Sequence, residues 1–467
     1  MAAKLVTSCS LLMQVLVFFL AVVPDAFALP LNRLKSLTAI KEVNRRGPYL
    51  GLITVYEPEE NAFFATGAFK PHKTHPFVDL SGRRFRVGKI HGEKVIYVRC
   101  GVGMVNAAAA TQQMLDLFDI KGIIHFGIAG NANNSMSIGD VIIPKQFANT
   151  GIWGWVNLNS TTNLSDVVHL DIASYNVPKG EGTNLLGHIG YSDEEFYSEL
   201  GKPNTAQSLF WAETSKHWLH LAANLEGMEL EQCVNSSLCL PHKPKLVVGL
   251  RGSTSNIFVD NAAYRNFLVR NFHVSSVDME SAAVVLNLNS TTNLSDVVHL
   301  DIASYNVPKG EGTNLLGHIG YSDEEFYSEL GKPNTAQSLF WAETSKHWLH
   351  LAANLEGMEL EQCVNSSLCL PHKPKLVVGL RGSTSNIFVD NAAYRNFLVR
   401  NFHVSSIDME SAAVVLTSLS NGFPVIVFRG LSDLAGGQSG ENAISKFGPL
   451  AALNTAKAVV QFIKTLQ

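Results

Sequence analysis

The sequence predicts an α/β domain, a three-layer α/β/α arrangement around a mainly parallel or mixed sheet. Three observations carry this prediction. Short apolar runs of strand length alternate with segments of helical periodicity. Several runs end in glycine or acidic residues, as strands do where their carboxyl ends face a ligand crevice. Finally, a 130-residue stretch occurs twice, as 157–286 and 287–416, with one difference, Val277 against Ile407. Structural repeat arrays use diverged units of about 20–50 residues, so this is a recent tandem duplication, or an error in joining the gene model, inside a domain spanning 48–467. One amino-terminal half, two middles and one carboxyl-terminal end share the chain. Only one middle can complete the sheet; the other is displaced, packs peripherally or pairs with another subunit. Copy two is expected to complete it. There a helix over Asp408–Leu419 leads through Ser420-Asn421-Gly422 directly into the next strand.

Composition narrows the class. The chain has 467 residues, 46% hydrophobic and 16% charged, which describes a folding chain. The net charge is −4 with no basic cluster, so nucleic-acid binding has no electrostatic support. Residues 1–28 read as a secretory leader: Lys4, the apolar run Leu11–Val23, and Ala26-Phe27-Ala28 as a small-x-small cleavage pattern. No later segment reaches membrane-spanning length. The expected destination is the secretory pathway, then a vacuole or the cell exterior, with no membrane association after cleavage.

The cysteines fit an oxidising compartment. Cys233 and Cys239, in QCVNSSLCL, suit a local disulfide, and Cys363 and Cys369 repeat them. So small a loop stabilises by about 2 kcal/mol in the chain-entropy model. No zinc-type spacing accompanies them, and no metal or other cofactor is expected. Cys100 is left over in an apolar strand, where a small core residue is the usual role. Glycosylation sequons occur at Asn133, Asn159, Asn163, Asn235, Asn289, Asn293 and Asn365.

In chain order, Tyr49–Val55 reads as a buried strand ending in an acidic loop, Tyr56–Asn61. Phe85–Lys89 and Lys94–Arg99 read as strands around His91-Gly92. Cys100–Gly103 is a glycine-bearing strand end that opens a helix over Met104–Phe118. There Gly101 and Gly103 allow a ligand near the backbone. Gly122–Gly130, with Gly127, is a strand with a glycine-rich end, and Asp140–Ile143 follows as another. Residues 157–244 are loop-rich, with a helical patch near Glu213–Leu225. Lys245–Leu250 returns to a strand, Asp260–Val269 and Asp278–Leu286 to helices, and copy two repeats this. Phe423–Gly437 is a buried strand ending in the polar turn Ser432-Asp433. Asn442–Leu466 forms the last helix, with apolar residues at helical spacing.

Five motifs in order, GLITVYEPEE, CGVGMVNAA, HFGIAGNANNSMSIGDVIIP, SIDMESAAV and VFRGLSDLAG, resemble the nucleoside phosphorylase superfamily. More narrowly they resemble its methylthioadenosine/adenosylhomocysteine nucleosidases, and with the leader and the cysteine loop, the plant bark storage and wound-inducible group. The resemblance runs from about residue 48 to the end. It implies that Asp433 is a general acid toward the purine and that Met409 and Glu410 bind the ribose. It further implies that Phe388 and Val389 sandwich the base and that Glu59 positions the attacking water. Phe258, Val259, Met279 and Glu280 are the copy-one equivalents. It also implies a homo-oligomer and a purine nucleoside as the small-molecule partner.

Cleaving a glycosidic bond calls for an acid at the base, a clamp on the sugar and a nucleophile on the opposite face. Asp433, Glu410 and Glu59 match those needs. The alternatives are a turn cap for Asp433, a helix-start charge for Glu410 and a solvated carboxylate for Glu59. The acidic EPEEN segment and His125 and Ile128, which stand where phosphorylases carry arginine and serine, disfavour phosphate as co-substrate. The nucleosidases also keep serine at the Ile128 position. Two functions stay open: a nucleoside hydrolase, and a storage protein with a vestigial pocket.

Overall fold

The structure is a computed structural model. It describes residues 31–131, 137–144, 146–149, 153–156, 168–171, 188–191, 194–197, 202–211, 213–214, 216–230, 232–279, 281–285, 299–301, 318–321, 323–326, 328, 337–436 and 443–466. The leader and the sequons at Asn133, Asn159, Asn163, Asn289 and Asn293 lie outside these residues. Among the described residues no helix is long and apolar enough to cross a membrane.

The amino-terminal half supplies α1 (Leu31–Asn44), β1 (Tyr49–Thr54), α2 (Glu57–Ala65), β2 (Arg83–Ile90), β3 (Glu93–Arg99), α3 (Met104–Leu117), β4 (Ile120–Asn131), β5 (Val141–Ile143) and β6 (Gln146–Asn149). Copy two then supplies β7 (Trp341–Glu343), α4 (Lys346–Ala352), β8 (Leu376–Val378), β9 (Arg381–Thr384), α5 (Ala392–Phe402), β10 (Ser406–Asp408) and α6 (Ser411–Ser420). The unique end adds β11 (Val425–Asp433) and α7 (Ile444–Thr465). One mixed sheet runs β2-β3-β1-β4-β10-β9-β6-β7, with β11 on β4 and β5, and β8 on β5. β1 lies parallel to β3 and β4, and β11 parallel to β4.

Period-two alternation makes the layers. Leu50, Leu52, Ile124, Phe126, Ile426 and Phe428 face one side, packed with Trp348 of α4 and Ala456, Val459 and Phe462 of α7. Ile53, Ile123, Val425 and Val427 face the other, with Ala107, Ala110 and Met114 of α3 and Val414 and Val415 of α6. The register places Leu52 beside Ile124 and Ile124 beside Ile426, so one apolar row crosses three strands. Burying each such side chain contributes about 1.5–3 kcal/mol.

Copy two completes the sheet for physical reasons that the sequence contains. Its helix continues through Thr417–Ser420, where the Ser418 hydroxyl donates to the Val414 carbonyl and Asn421 pairs with Gln112 of α3. That brings the chain straight into β11. Among the described residues the copy-one helix covers Ser281–Val285. The one differing residue agrees: Ile407 is 5% exposed, Val277 41%. Among the described residues, copy one's Gly252–Thr254 and Ser276–Asp278, equivalents of β9 and β10, pair with each other.

The two copies also exchange strands. Val168–Asp171 of copy one pairs with His318–Tyr321 of copy two, and His188–Gly190 of copy one with His299–Asp301 of copy two. Once 130 residues are subtracted from the copy-two numbers, both pairings have one register. Leu170 opposes Ile319 in one, and Ile189 opposes Leu300 in the other.

Three expected boundaries change. Tyr56–Asn61 is not a loop: Glu57 opens α2, because proline fits the first helical turn and acidic residues suit its positive end. Asp408 ends a strand and is not in the following helix; its carboxylate instead accepts the Glu410 and Ser411 amides as a cap. The strand expected at Lys245–Leu250 forms only in copy two, where β8 has β5 to pair with. Both disulfides, Cys233–Cys239 and Cys363–Cys369, are present, and Cys100 is free and buried.

Candidate active site

Four chain turns meet at the carboxyl ends of the parallel strands. β1 runs into the first turn of α2, which carries Glu59. The Glu59 carboxylate is 3% exposed and accepts the Val55 amide at 2.7 Å and the Ile128 amide at 2.8 Å. Gly127 makes this possible, since a Cβ there would stand 2.2 Å from Glu59 Oε1. Burial pushes the Glu59 carboxyl up, opposed by Arg429 and the backbone amides.

β3 ends in Cys100–Gly103. Gly101 and Gly103 have φ of 100° and 95°, conformations that favour glycine. The Gly103 amide donates to Glu410 Oε1 at 3.0 Å, and the Met104 amide to Asn386 Oδ1 at 2.9 Å. Asn386 thereby ties the segment carrying Phe388 and Val389 to the start of α3. Phe388 is exposed and Val389 buried. Met409 is half-buried beside Glu410. Burial pushes the Cys100 thiol well up, which keeps it protonated and argues against a nucleophile.

Arg429 of β11 is fully buried and organises the centre. Its Nε donates to Asp408 Oδ2 at 3.1 Å and Ser411 Oγ at 2.9 Å, and its Nη1 to the Ile128 carbonyl at 3.1 Å. Its Nη2 faces His125 Nε2 at 2.7 Å and Glu410 Oε2 at 3.4 Å. His125 Nδ1 lies 3.0 Å from the Ile53 carbonyl. The proton therefore sits on Nδ1, and Nε2 accepts from the arginine. Burial and the adjacent guanidinium hold His125 neutral, well below the usual histidine range. Burial likewise raises Glu410, to about 8, with Arg429 opposing and Asp408 reinforcing the shift.

β11 ends at Asp433, opposite Gly130 of β4. Asp433 is 2% exposed, and its Oδ1 accepts the Ser432 hydroxyl at 2.7 Å. Tyr56 reports on the whole group. Its phenol is raised by burial first, then by Glu59, Asp433 and Glu410 in turn. The three carboxylates thus lie within electrostatic reach of a single hydroxyl.

The described copy-one candidates lie elsewhere. Phe258 and Val259 stand in the strand Ile257–Asp260, paired with Trp153–Val156. Met279 is half-buried beyond Ser276–Asp278, and Glu280 lies outside the described residues. Sequence reading missed Asp408, Arg429 and Asn386, and the bond between His125 and Arg429. The DME and FRG strings hold two of them, but only burial shows an arginine facing two carboxylates.

The Phosphorylase superfamily model matches residues 50–286 and 295–464. The chain belongs to the phosphorylase superfamily. Within that superfamily it is 35% identical to bark storage protein A of Populus deltoides over 247 residues, covering 52% of this chain and 76% of that protein. Bark storage protein B of the same organism is 34% identical over the same shares. A 5'-methylthioadenosine/S-adenosylhomocysteine nucleosidase of Desulfotalea psychrophila is 41% identical over 66 residues, 14% of this chain and 28% of that one. Among solved structures, futalosine hydrolase of Helicobacter pylori aligns with a TM-score of 0.42 at 12% identity, covering 89% of this chain and 97% of that chain.

Proposed function

We propose that this protein hydrolyses the N-glycosidic bond of purine nucleosides, with water as acceptor. The observation that carries the reading is that three acids meet at adjoining strand ends: Glu59 accepts the Ile128 amide, Arg429 bridges the Ile128 carbonyl and Glu410, and Asp433 stands opposite Gly130. In the proposed step, Asp433 gives a proton to a ring nitrogen of the purine as the bond to the sugar anomeric carbon breaks. Glu410 holds the ribose hydroxyls. A water adds its oxygen to the anomeric carbon and loses a proton to Glu59, whose two oxygens are fixed by the Val55 and Ile128 amides. Free base and free ribose leave, and the two carboxyls exchange their proton through solvent. Water is favoured over phosphate because the guanidinium of Arg429 is engaged by Asp408, Ser411, Ile128, His125 and Glu410. Three carboxylates, Asp408, Glu410 and Glu59, act on that one cation. A secreted or vacuolar, glycosylated homo-oligomer is the form proposed for the protein.

A second reading is a storage protein that keeps the pocket without turnover. The extent of similarity to the two bark storage proteins favours it, as does Ile128 in place of serine. Purified protein incubated with adenosine, inosine and methylthioadenosine, with and without phosphate, separates the readings by chromatography of base and sugar. The hydrolase reading expects free ribose without phosphate. It also expects Asp433→Asn to lower the rate by about 10²–10⁴-fold. Ribose 1-phosphate formed only with phosphate would overturn water as acceptor. No release from any of the three favours storage.

A further inference from the structure

We propose that Glu195, from copy one, is a positioning residue of this site, so that the site is assembled from both copies of the duplicated segment. The proposal rests on the nucleosidase reading for its kinetic consequence, but not for its structural one.

Three successive amides at the start of α3 are taken by side chains from three places. The Val102 amide donates to Glu195 Oε2 at 2.9 Å, the Gly103 amide to Glu410 Oε1 at 3.0 Å, and the Met104 amide to Asn386 Oδ1 at 2.9 Å. The turn lies between two positive-φ glycines and has little local stiffness of its own. Glu195 supplies stiffness from outside. Its backbone carbonyl accepts Asn106 Nδ2 at 2.6 Å, so both ends of the residue are tied to the turn and to α3. Arg83 donates to Asn106 Oδ1 at 2.8 Å and lies over the Tyr197 ring at 5.1 Å. The Tyr197 ring occupies the space that a Cβ on Gly101 would enter, 2.5 Å away. Farther along, the Asn204 amide donates to the Gly82 carbonyl at 2.8 Å. Glu195 therefore sits one peptide from the residue that seats the ribose clamp, and fixing Val102 fixes the Gly103 amide on Glu410.

The duplication provides a control of unusual stringency. Glu325 has the same sequence around it and stands in the equivalent strand, Glu324–Phe326, while the Val102 amide is held by Glu195.

The test compares Glu195→Ala, Glu195→Gln and Glu325→Ala in the full chain. Two readouts are taken: amide hydrogen exchange of the peptide containing Val102 and Gly103, and kcat and KM for base release from adenosine. Glu195→Ala is expected to speed exchange there by about tenfold and to raise KM about tenfold with kcat within about twofold. Glu195→Gln keeps an acceptor and restores both to within about threefold. Glu325→Ala matches wild type. Exchange unchanged in Glu195→Ala, or equally fast in Glu325→Ala, overturns the proposal. A wild-type protein that releases no base would sink the hydrolase reading alone. Exchange would then still decide the role of Glu195, with a rise in Glu195→Ala only supporting it.

Discussion

The two copies of the middle segment are nearly the same sequence in two environments. Locally they agree. Asn261 and Asn391 cap their helices with the same 2.9 Å bond to the tyrosine amide three residues on. Tyr191 pairs with Tyr264, and Tyr321 with Tyr394, each at 2.9 Å. Arg251 lies over Trp211 and Arg381 over Trp341, each at 4.8 Å. In tertiary placement they part. Trp218 is 70% exposed and Trp348 8%; Val277 is exposed where Ile407 is buried. Helix caps and side-chain pairs thus follow the sequence of each segment, whereas strand pairing and burial follow what the chain places beside it. In copy two, that burial sets the Glu410 carboxylate against a buried arginine, where it is a candidate clamp.

The largest contrast should be between the two tryptophans. Trp348 packs against Phe462 and over Gly122. Trp348→Ala is expected to cost about 3–5 kcal/mol in urea unfolding, and Trp218→Ala no more than about 0.5 kcal/mol. Similar losses at both positions would mean that copy one is as firmly embedded as copy two.

Glu410 gives a contrast in pH. Its carboxyl is raised to about 8 in the folded protein, against 4.5 for the unperturbed group. Between those values the unfolded chain releases a proton that the folded one retains. Glu410 therefore subtracts stability as pH rises through that window. Relative to wild type, Glu410→Gln should gain on the order of a few kcal/mol on going from pH 5 to pH 8.5. Equal unfolding differences at the two pH values would show that Glu410 is not buried as described. Under the proposed function, ionised Glu410 is the form that would accept ribose hydroxyls, so nucleoside binding measured by calorimetry should tighten as pH rises toward 8.

The smallest contrast is at the one position that differs. Ile407→Val should cost about 0.5–1.5 kcal/mol, a methylene lost from the core. Val277→Ile should change stability by less than about 0.5 kcal/mol. Reversal of that order would assign the core to copy one.

Much of this was legible in the sequence. The alternation in YLGLIT, GIIHFG and VIVFRG gave both faces of the sheet, because buried parallel strands need apolar side chains on each side. Glu59, Glu410 and Asp433 were readable as acidic residues at strand ends and helix starts. The network that holds them was not. Arg429 and His125 are 304 residues apart in sequence and meet only through the pairing of β11 with β4. A sequence carries no sign that a histidine accepts a bond from an arginine. Glu195 was hidden for another reason. It and Glu325 are indistinguishable as sequence, and only threading decides which one reaches Val102.

The most direct measurement is release of adenine from adenosine, without phosphate, by wild type, Glu410→Gln and Glu280→Gln. If copy two alone carries the ribose clamp, wild type and Glu280→Gln release adenine at the same rate, and Glu410→Gln is slower by at least about 10²-fold. Equal loss in Glu280→Gln, or no release by a folded wild-type protein, would contradict the account.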